Sequence, residues 1–264
     1  MAVTGPRVRH AVPLGPGGRT PVLAATRRPP ATWKVRDAVL VMGAGLAFLV
    51  SALVMSLGIF ELQGSAFNDS QSRAALGTIV SAVFFVFLLW MTYVVVVRRY
   101  HCNWRMLGIR PVSWQWLVAV PFIFSLLTLS YVLMLNGAID IWGPSAHWRG
   151  SLSKSTVDAT QVPVLEALVI ISNVVLAPIS EELLFRGVLY QALRRTMPVG
   201  SAIMTSAIVF AIMHGNLVLF IPFVLMGIVL GLVFEWSGSL VPTILLHAFN
   251  NGMILLLIAG GATS

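Results

Sequence analysis

The sequence predicts an all-α protein, a polytopic bundle of about seven or eight transmembrane helices. Of its 264 residues, 58% are hydrophobic and only 10% are charged, whereas a soluble domain carries about 25% charged residues. Several apolar stretches approach or exceed the roughly 20 residues with which a helix crosses a bilayer. Because these stretches are continuously apolar, they do not match the alternating strands of a membrane β-barrel.

Basic side chains are concentrated in residues 1–36. This segment carries seven arginines and lysines and no acid, so it accounts for most of the net charge of +8. It is rich in proline and glycine, a composition that predicts disorder. Such a segment before the first apolar stretch is typical of a cytoplasmic tail near anionic lipid. We prefer this interpretation to a nucleic-acid partner.

Seven apolar stretches follow the tail and predict seven spans, at 38–60, 75–97, 114–135, 163–190, 199–216, 217–236 and 239–260. Eight spans result if Pro178 divides the fourth stretch, because proline interrupts a helix. Residues 136–161 are more polar and predict a loop outside the membrane with a short interfacial helix. The chain then divides into the tail, N-terminal transmembrane helices with their loop over 37–161, and a C-terminal core over 162–260.

The charges of the short loops predict the orientation. Arginines follow the second and fourth spans, whereas the loop after the first span carries only Arg73 beside two acids. Basic loops remain in the cytoplasm. We therefore expect a multi-pass protein of the cell membrane with a cytoplasmic N-terminus.

Two carboxylates and a guanidinium interrupt the fourth stretch, at Glu181, Glu182 and Arg186. Ionisable groups inside a bilayer cost at least a few kcal/mol and are candidates for a functional site. Glu182 and Arg186 are one helical turn apart, acid first, and can neutralise each other. Glu181 lies about 100° around the helix and is available for other partners. The alternative is a polar cluster that joins helices, and these residues alone favour neither interpretation.

Two later stretches carry polar side chains at helical spacing. Phe210 and His214 are one turn apart in AIVFAIMHG, and His247 and Asn251 share a helix face in ILLHAFNNG. A lone histidine in an apolar helix is more often a hydrogen-bond partner than a ligand. Together with Glu181, however, these residues supply a carboxylate, two imidazoles and an amide, a set that can bind a metal or polarise a water.

With these three patterns in order, the sequence resembles a family of intramembrane proteases. EELLFR matches the family's EExxxR motif, Phe210 to His214 its FxxxH, and His247 to Asn251 its HxxxN. The family includes the CAAX prenyl endopeptidase Rce1 and bacterial bacteriocin-processing and immunity proteins, and is called CPBP or Abi. The resemblance covers about residues 165–255, so it implies that the C-terminal core is the protease part of the chain.

The resemblance implies an intramembrane endopeptidase whose polar catalytic cavity lies inside the membrane. Glu181 would be the general base that activates the attacking water. His214 and His247 would hold that water, and Asn251 would orient it or donate to the oxyanion. The remaining motif residues would shape the site: Glu182, Arg186 and Phe210.

The resemblance also implies a metalloprotease. Glu181, His214 and His247 would then be the ligands of one Zn²⁺ with an open fourth position. A metal-free mechanism, in which a Glu–His pair activates the water, stays open beside it. The expected partner is a peptide or protein substrate at the membrane, and the sequence does not determine whether that substrate is prenylated.

Two other functions remain as alternatives. One is a non-catalytic immunity or scaffold protein of the same fold, which the complete motif set disfavours. The other is a small proton-coupled transporter, which would be expected to show inverted repeats and broken helices; the sequence has no convincing repeat.

The proposed site requires Glu181 and His214 to lie at a similar depth in the membrane. With the predicted bounds, Glu181 lies toward the cytoplasmic end of span four and His214 toward the opposite end of span five. A shared site requires these bounds to shift, through a kink at Pro178 or a later start of span five after Pro198.

Overall fold

The computed structural model describes residues 31–63, 70–142, 163–217 and 219–259, and every element within them is helical. In the N-terminal half, α1 is Val35–Gln63, and α2 is Ser70–Thr92 with a π-helical continuation, Tyr93–Arg98. The short α3 is Trp104–Leu107, and α4 is Trp114–Trp142. In the C-terminal half, α5 is the continuous run Pro163–Leu193, α6 is Val199–Met213, α7 is Phe220–Ser237 and α8 is Val241–Ala259.

Five helices of the described residues are long and apolar enough to cross a membrane: α1, α2, α4, α5 and α7. The protein is therefore a multi-pass membrane protein. Two further apolar helices, α6 and α8, are shorter. Each predicted stretch thus corresponds to a helix, but the count of seven spans and the orientation stay predictions. Pro178 lies inside α5, which continues through it to Leu193, so it does not divide the fourth stretch.

The bounds of two predicted segments differ from the structure. The predicted disordered tail is wrong for residues 31–36, because Trp33 is completely buried and its indole N–H donates to the Val188 carbonyl at 2.9 Å. Burial of so large an aromatic side chain offsets the entropy lost on ordering this segment. Helix α4 extends to Trp142, seven residues into the predicted loop over 136–161, which was expected to contain a short helix. The remainders of both segments lie outside the described residues.

The centre of the bundle is the second half of α5. All eight residues of the π-helical segment Leu183–Tyr190 are buried, against side chains of α1, α3, α6 and α7. Large apolar side chains on α1 and α4 are by contrast exposed, as expected for helices that face lipid. The polar motif of α5 therefore lies in and directly before a segment that is completely buried among the described helices.

Helices α6 and α7 pack closely through small residues. A Cβ atom added to Gly227 would lie 2.8 Å from the Ala207 Cβ, and one added to Gly231 would lie 3.0 Å from the Ile203 side chain. These glycines allow the two backbones to approach. The approach also brings the Gly227 carbonyl to the motif arginine of α5, because Arg186 Nη2 donates to it at 3.1 Å.

Candidate active site

The two carboxylates lie on a short α-helical turn between two π-helical segments of α5. The turn is Ala177–Glu182, and the flanking segments are Ile171–Leu176 and Leu183–Tyr190. A π-helical segment has an i→i+5 hydrogen-bond pattern and is frequent at functional sites. Glu181 and Glu182 therefore stand where the helix changes its pitch twice.

Glu181 and His214 lie at a similar depth, as a shared site requires. Glu181 is twelve residues from the end of α5, because that helix continues to Leu193 rather than ending at residue 190. His214 follows α6, fifteen residues after its start at Val199. Glu181 and His214 therefore lie twelve and fifteen residues from the two ends of the short connection between α5 and α6.

Both histidines converge on one oxygen of Glu181. His214 Nε2 lies 3.7 Å from Glu181 Oε2, and His247 Nε2 lies 3.8 Å from the same atom. Three of the predicted site residues, one on α5, one just after α6 and one on α8, thus meet at one point. Both distances exceed the roughly 2.7–3.2 Å of a direct hydrogen bond. Glu181 Oε2 is buried and has no hydrogen-bond partner within the described residues.

A chain of buried polar groups lies behind His247. Its Nδ1 is 3.0 Å from Glu182 Oε1, which also accepts from Arg186 Nη1. The predicted pairing of Glu182 with Arg186 is confirmed, whereas the contact between Glu182 and His247 was not predicted. Sixty-five residues separate these two positions, so no spacing rule relates them. A buried imidazole needs a hydrogen-bond partner, so the sequence indicated that His247 would have one, but not that it would be Glu182.

His214 is held by its own helix and by two aromatic rings. Its Nδ1 lies 2.8 Å from the Phe210 carbonyl oxygen. The His214 ring lies 4.4 Å from the Phe210 ring and 4.1 Å from that of Phe223. Phe210 also contacts His247, at 5.9 Å between ring centroids, and lies under the Arg186 guanidinium at 4.8 Å. The FxxxH phenylalanine is therefore the apolar centre of the site, and Phe223 is an addition that sequence reasoning missed.

The hydrogen bonds of the two histidines determine where their lone pairs point. Each Nδ1 faces an acceptor oxygen, a carbonyl for His214 and a carboxylate for His247. A neutral ring must therefore carry its proton on Nδ1 and direct the Nε2 lone pair toward Glu181. Two such nitrogens and a carboxylate oxygen form a set of three electron-pair donors. A water whose protons bridge them and a metal ion are the two species that such a set accommodates.

One carboxylate oxygen and two imidazole nitrogens are suitable zinc ligands, but the distances between these atoms are longer than in a zinc site. Bonds of about 2.0–2.1 Å in a tetrahedral zinc site place ligand atoms about 3.3 Å apart, less than the 3.7 and 3.8 Å measured here. Among the described residues, no group of three or more His, Cys, Asp and Glu side chains has the arrangement of a metal site. The carboxylate behind His247 is typical of a zinc-bound histidine. Zinc bound by Glu181, His214 and His247 stays a prediction.

Asn251 has a different partner from the one the sequence suggested. Its Nδ2 donates to the main-chain carbonyl of Asn173, on α5, at 2.9 Å. No hydrogen bond among those described joins it to Glu181 or to either histidine. The predicted role of Asn251 in orienting water or binding the oxyanion therefore stays a prediction.

The geometry agrees with a comparison to known protein families. Residues 163–253 match the family described as "Type II CAAX prenyl endopeptidase Rce1-like". The matched part runs from the start of α5 into α8 and includes every predicted site residue. No curated protein and no solved structure matches the chain.

Proposed function

We propose that the protein is an intramembrane endopeptidase, because residues 163–253 match the family described as "Type II CAAX prenyl endopeptidase Rce1-like". It hydrolyses a peptide bond of a membrane-associated substrate. The observation that carries this proposal is the convergence of His214 Nε2 and His247 Nε2 on Glu181 Oε2. Hydrolysis inside a membrane requires a carboxylate that can accept a proton and neighbours that can hold a water, and these three side chains are the ones the proposal assigns to those tasks.

In the proposed reaction, Glu181 is the general base. Its carboxylate takes a proton from the water as the water oxygen attacks the carbonyl carbon of the scissile peptide bond. The tetrahedral intermediate then collapses, the C–N bond breaks, and the proton passes from Glu181 to the leaving amine. His214 and His247 hold the water before attack, and the protonated form of either can stabilise the oxyanion.

Glu182 and Arg186 position His247 rather than take part in proton transfer. Glu182 accepts from His247 Nδ1 and is neutralised by Arg186, and both side chains are buried. A buried carboxylate without such a partner would be costly. Because Arg186 already pairs with Glu182, Glu181 is the acid that remains available for the water.

A zinc ion, if bound, would be held by Glu181, His214 and His247. It would lower the pKa of the attacking water and polarise the substrate carbonyl. In that case Glu181 would be a ligand, and another group would have to accept the proton. The metal-dependent and metal-free schemes use the same three residues, and metal content distinguishes them.

The proposed partners are a peptide or protein substrate and anionic lipid. Exposed basic side chains cluster where α1 begins and α2 ends, at Lys34, Arg36, Arg98, Arg99 and Arg105. These charges favour a surface facing anionic headgroups, consistent with a cytoplasmic N-terminus in the cell membrane. Cleavage of a farnesylated and an unfarnesylated peptide distinguishes a prenylated substrate from an unprenylated one.

The decisive test is cleavage by the purified protein in liposomes. The substrates are two quenched fluorescent peptides that end in a CAAX sequence, one farnesylated and one not. We expect Glu181→Gln to lower the cleavage rate by about 10²–10⁴, because it removes the general base without changing the size of the side chain. Glu166→Gln is the matched control, since Glu166 is an exposed carboxylate on the same helix.

Full activity of inserted Glu181→Gln would remove Glu181 from the mechanism. If the wild-type protein cleaves neither peptide, unprenylated peptide libraries analysed by mass spectrometry extend the search to other sequences. A biological effect that persists in Glu181→Gln would instead favour the immunity or scaffold alternative.

A further inference from the structure

The Asn173 carbonyl of α5 has no main-chain donor in either helical register. In an α-helix its donor would be the N–H of Ala177, but that group donates to the Ser172 carbonyl. In the π-helical register its donor would be residue 178, which is a proline and has no N–H. The change of pitch and the proline together leave this oxygen available inside the bundle.

Asn251 supplies the missing donor from another helix. Its Nδ2 lies 2.9 Å from the Asn173 oxygen. The Asn173 side chain is itself occupied, since its Nδ2 donates to the Val169 carbonyl at 2.9 Å. The bond between α5 and α8 is therefore made by the backbone of one helix and the side chain of the other.

This bond lies next to the reacting groups on both helices. Pro178 is three residues before Glu181, and Asn251 is one turn after His247 on the same face of α8. A shift of α8 along α5 would change the distance between His247 and both carboxylates. Geometric errors of about 1 Å at an active site can cost about 100-fold in rate.

We propose that Pro178 and Asn251 act as a pair of positioning residues: the proline withholds a backbone donor from Asn173, and the asparagine replaces it, which sets the position of His247 against Glu181. Pro178 then matters because it has no N–H that could bond the Asn173 carbonyl, and not only because of the shape of its ring. The catalytic part of this proposal rests on the proposed function, but the hydrogen bond itself does not.

A double-mutant cycle of Pro178→Ala and Asn251→Ala, measured by thermal unfolding in detergent, tests whether both residues act on the Asn173 carbonyl. Asn251→Ala leaves the Asn173 oxygen without a donor and should lower the midpoint of unfolding by about 2–4 °C. Pro178→Ala restores an N–H at residue 178, which can bond the same oxygen. In the Pro178→Ala background, Asn251→Ala should therefore cause little further loss. Asn251→Asp, which lacks N–H donors but keeps the shape, replaces Asn251→Ala if the alanine variant does not fold.

Pro121 supplies the matched control, because it also lies inside a long helix, α4. Pro121→Ala should leave the full effect of Asn251→Ala unchanged. Equal losses for Asn251→Ala in the wild-type and Pro178→Ala backgrounds would overturn the proposal.

The position of α8 is measured without a substrate. Spin labels at Val164 and Leu256, both exposed, report the distance between α5 and α8 in a Cys102→Ala background. We expect this distance distribution to broaden or shift in both Asn251→Ala and Pro178→Ala, and an unchanged distribution in both would overturn the positioning role.

The cleavage assay then separates positioning from chemistry. Pro178→Ala should lower kcat by about 10-fold or more with little change in KM, because it displaces His247 without touching the substrate. A Pro178→Ala variant with full kcat beside an inactive Asn251→Ala would show that Asn251 acts on the reaction directly, contrary to the proposal. If the wild-type protein cleaves nothing, the proposed function fails, while the unfolding cycle and the spin-label distances still decide the role of the pair.

Discussion

His247 Nδ1 lies 3.0 Å from Glu182 Oε1, the same oxygen that accepts from Arg186. The two adjacent carboxylates therefore have different sets of partners. Glu182 is committed to Arg186 and to one nitrogen of His247, whereas Glu181 faces the other nitrogen of His247 and that of His214. The side chains of residues 181 and 182 are therefore alike in chemistry and distinct in environment.

Substitution of Glu182 is expected to act through His247. Glu182→Gln keeps the volume but removes the charge that balances Arg186, and loss of an orienting group behind a histidine costs about 10–100-fold in activity. Breaking a buried ion pair destabilises by about 3–5 kcal/mol. The measurements are kcat, KM and the midpoint of thermal unfolding.

Arg186→Gln provides the partner for a double-mutant cycle. The double variant, which buries no unpaired charge, should be more stable than the sum of the two single losses predicts. Additive losses would contradict the coupling of Glu182 with Arg186.

Removal of either histidine is expected to abolish cleavage while the protein still inserts. His214→Ala and His247→Ala each leave Glu181 with one of its two nitrogen neighbours, so the water loses a position on which proton transfer depends. Cleavage rates in liposomes should fall by about 10²–10⁴. His101→Ala is the control, because His101 is exposed and lies outside residues 163–253, which match the Rce1-like family. Undiminished cleavage by a correctly inserted His214 or His247 variant would exclude that residue.

Metal content distinguishes the two reaction schemes. We expect any bound zinc to be lost when His214 and His247 are both changed to Ala, because these supply both nitrogen ligands of the predicted site. Elemental analysis of detergent-purified wild-type and double-variant protein makes the comparison. About one zinc per chain, lost in the folded variant, supports a metal-assisted hydrolase. An active wild-type preparation without metal leaves the Glu–His scheme.

A side chain at Gly227 is expected to separate α6 from α7. In Gly227→Ala the new Cβ would lie 2.8 Å from Ala207, and overpacking of this kind costs about 1–3 kcal/mol. The shift also moves the carbonyl that Arg186 binds, so cleavage should fall together with the midpoint of thermal unfolding. Gly77→Ala, in α2, is the matched control because nothing lies within 4 Å of its added Cβ. Similar stability of the two variants would contradict the close packing of α6 against α7.

Local sequence patterns were sufficient to predict the long helices and one pairing between motif side chains. Continuous apolar runs predicted every long helix, and acid-first spacing predicted the pairing of Glu182 with Arg186. The burial of Trp33 could not be predicted, because it depends on a contact with a distant part of the chain. The Trp33 indole bonds a carbonyl 155 residues away, and nothing near it in the sequence indicates that partner.

By itself, the sequence determined that the protein is a helical membrane protein and which polar side chains interrupt its apolar helices, because apolar length and helical periodicity are local properties. Only the tertiary structure decided which group faces which. Glu181 and Glu182 are neighbours on one helix, but Glu181 faces His214 at the end of α6 and His247 of α8, whereas Glu182 pairs with Arg186 of its own helix and the other nitrogen of His247. The same holds for Asn251, whose partner is a carbonyl that became available through a proline and a change of helical pitch on another helix. Such pairings depend on the relative depth and rotation of packed helices, which no spacing along the chain encodes.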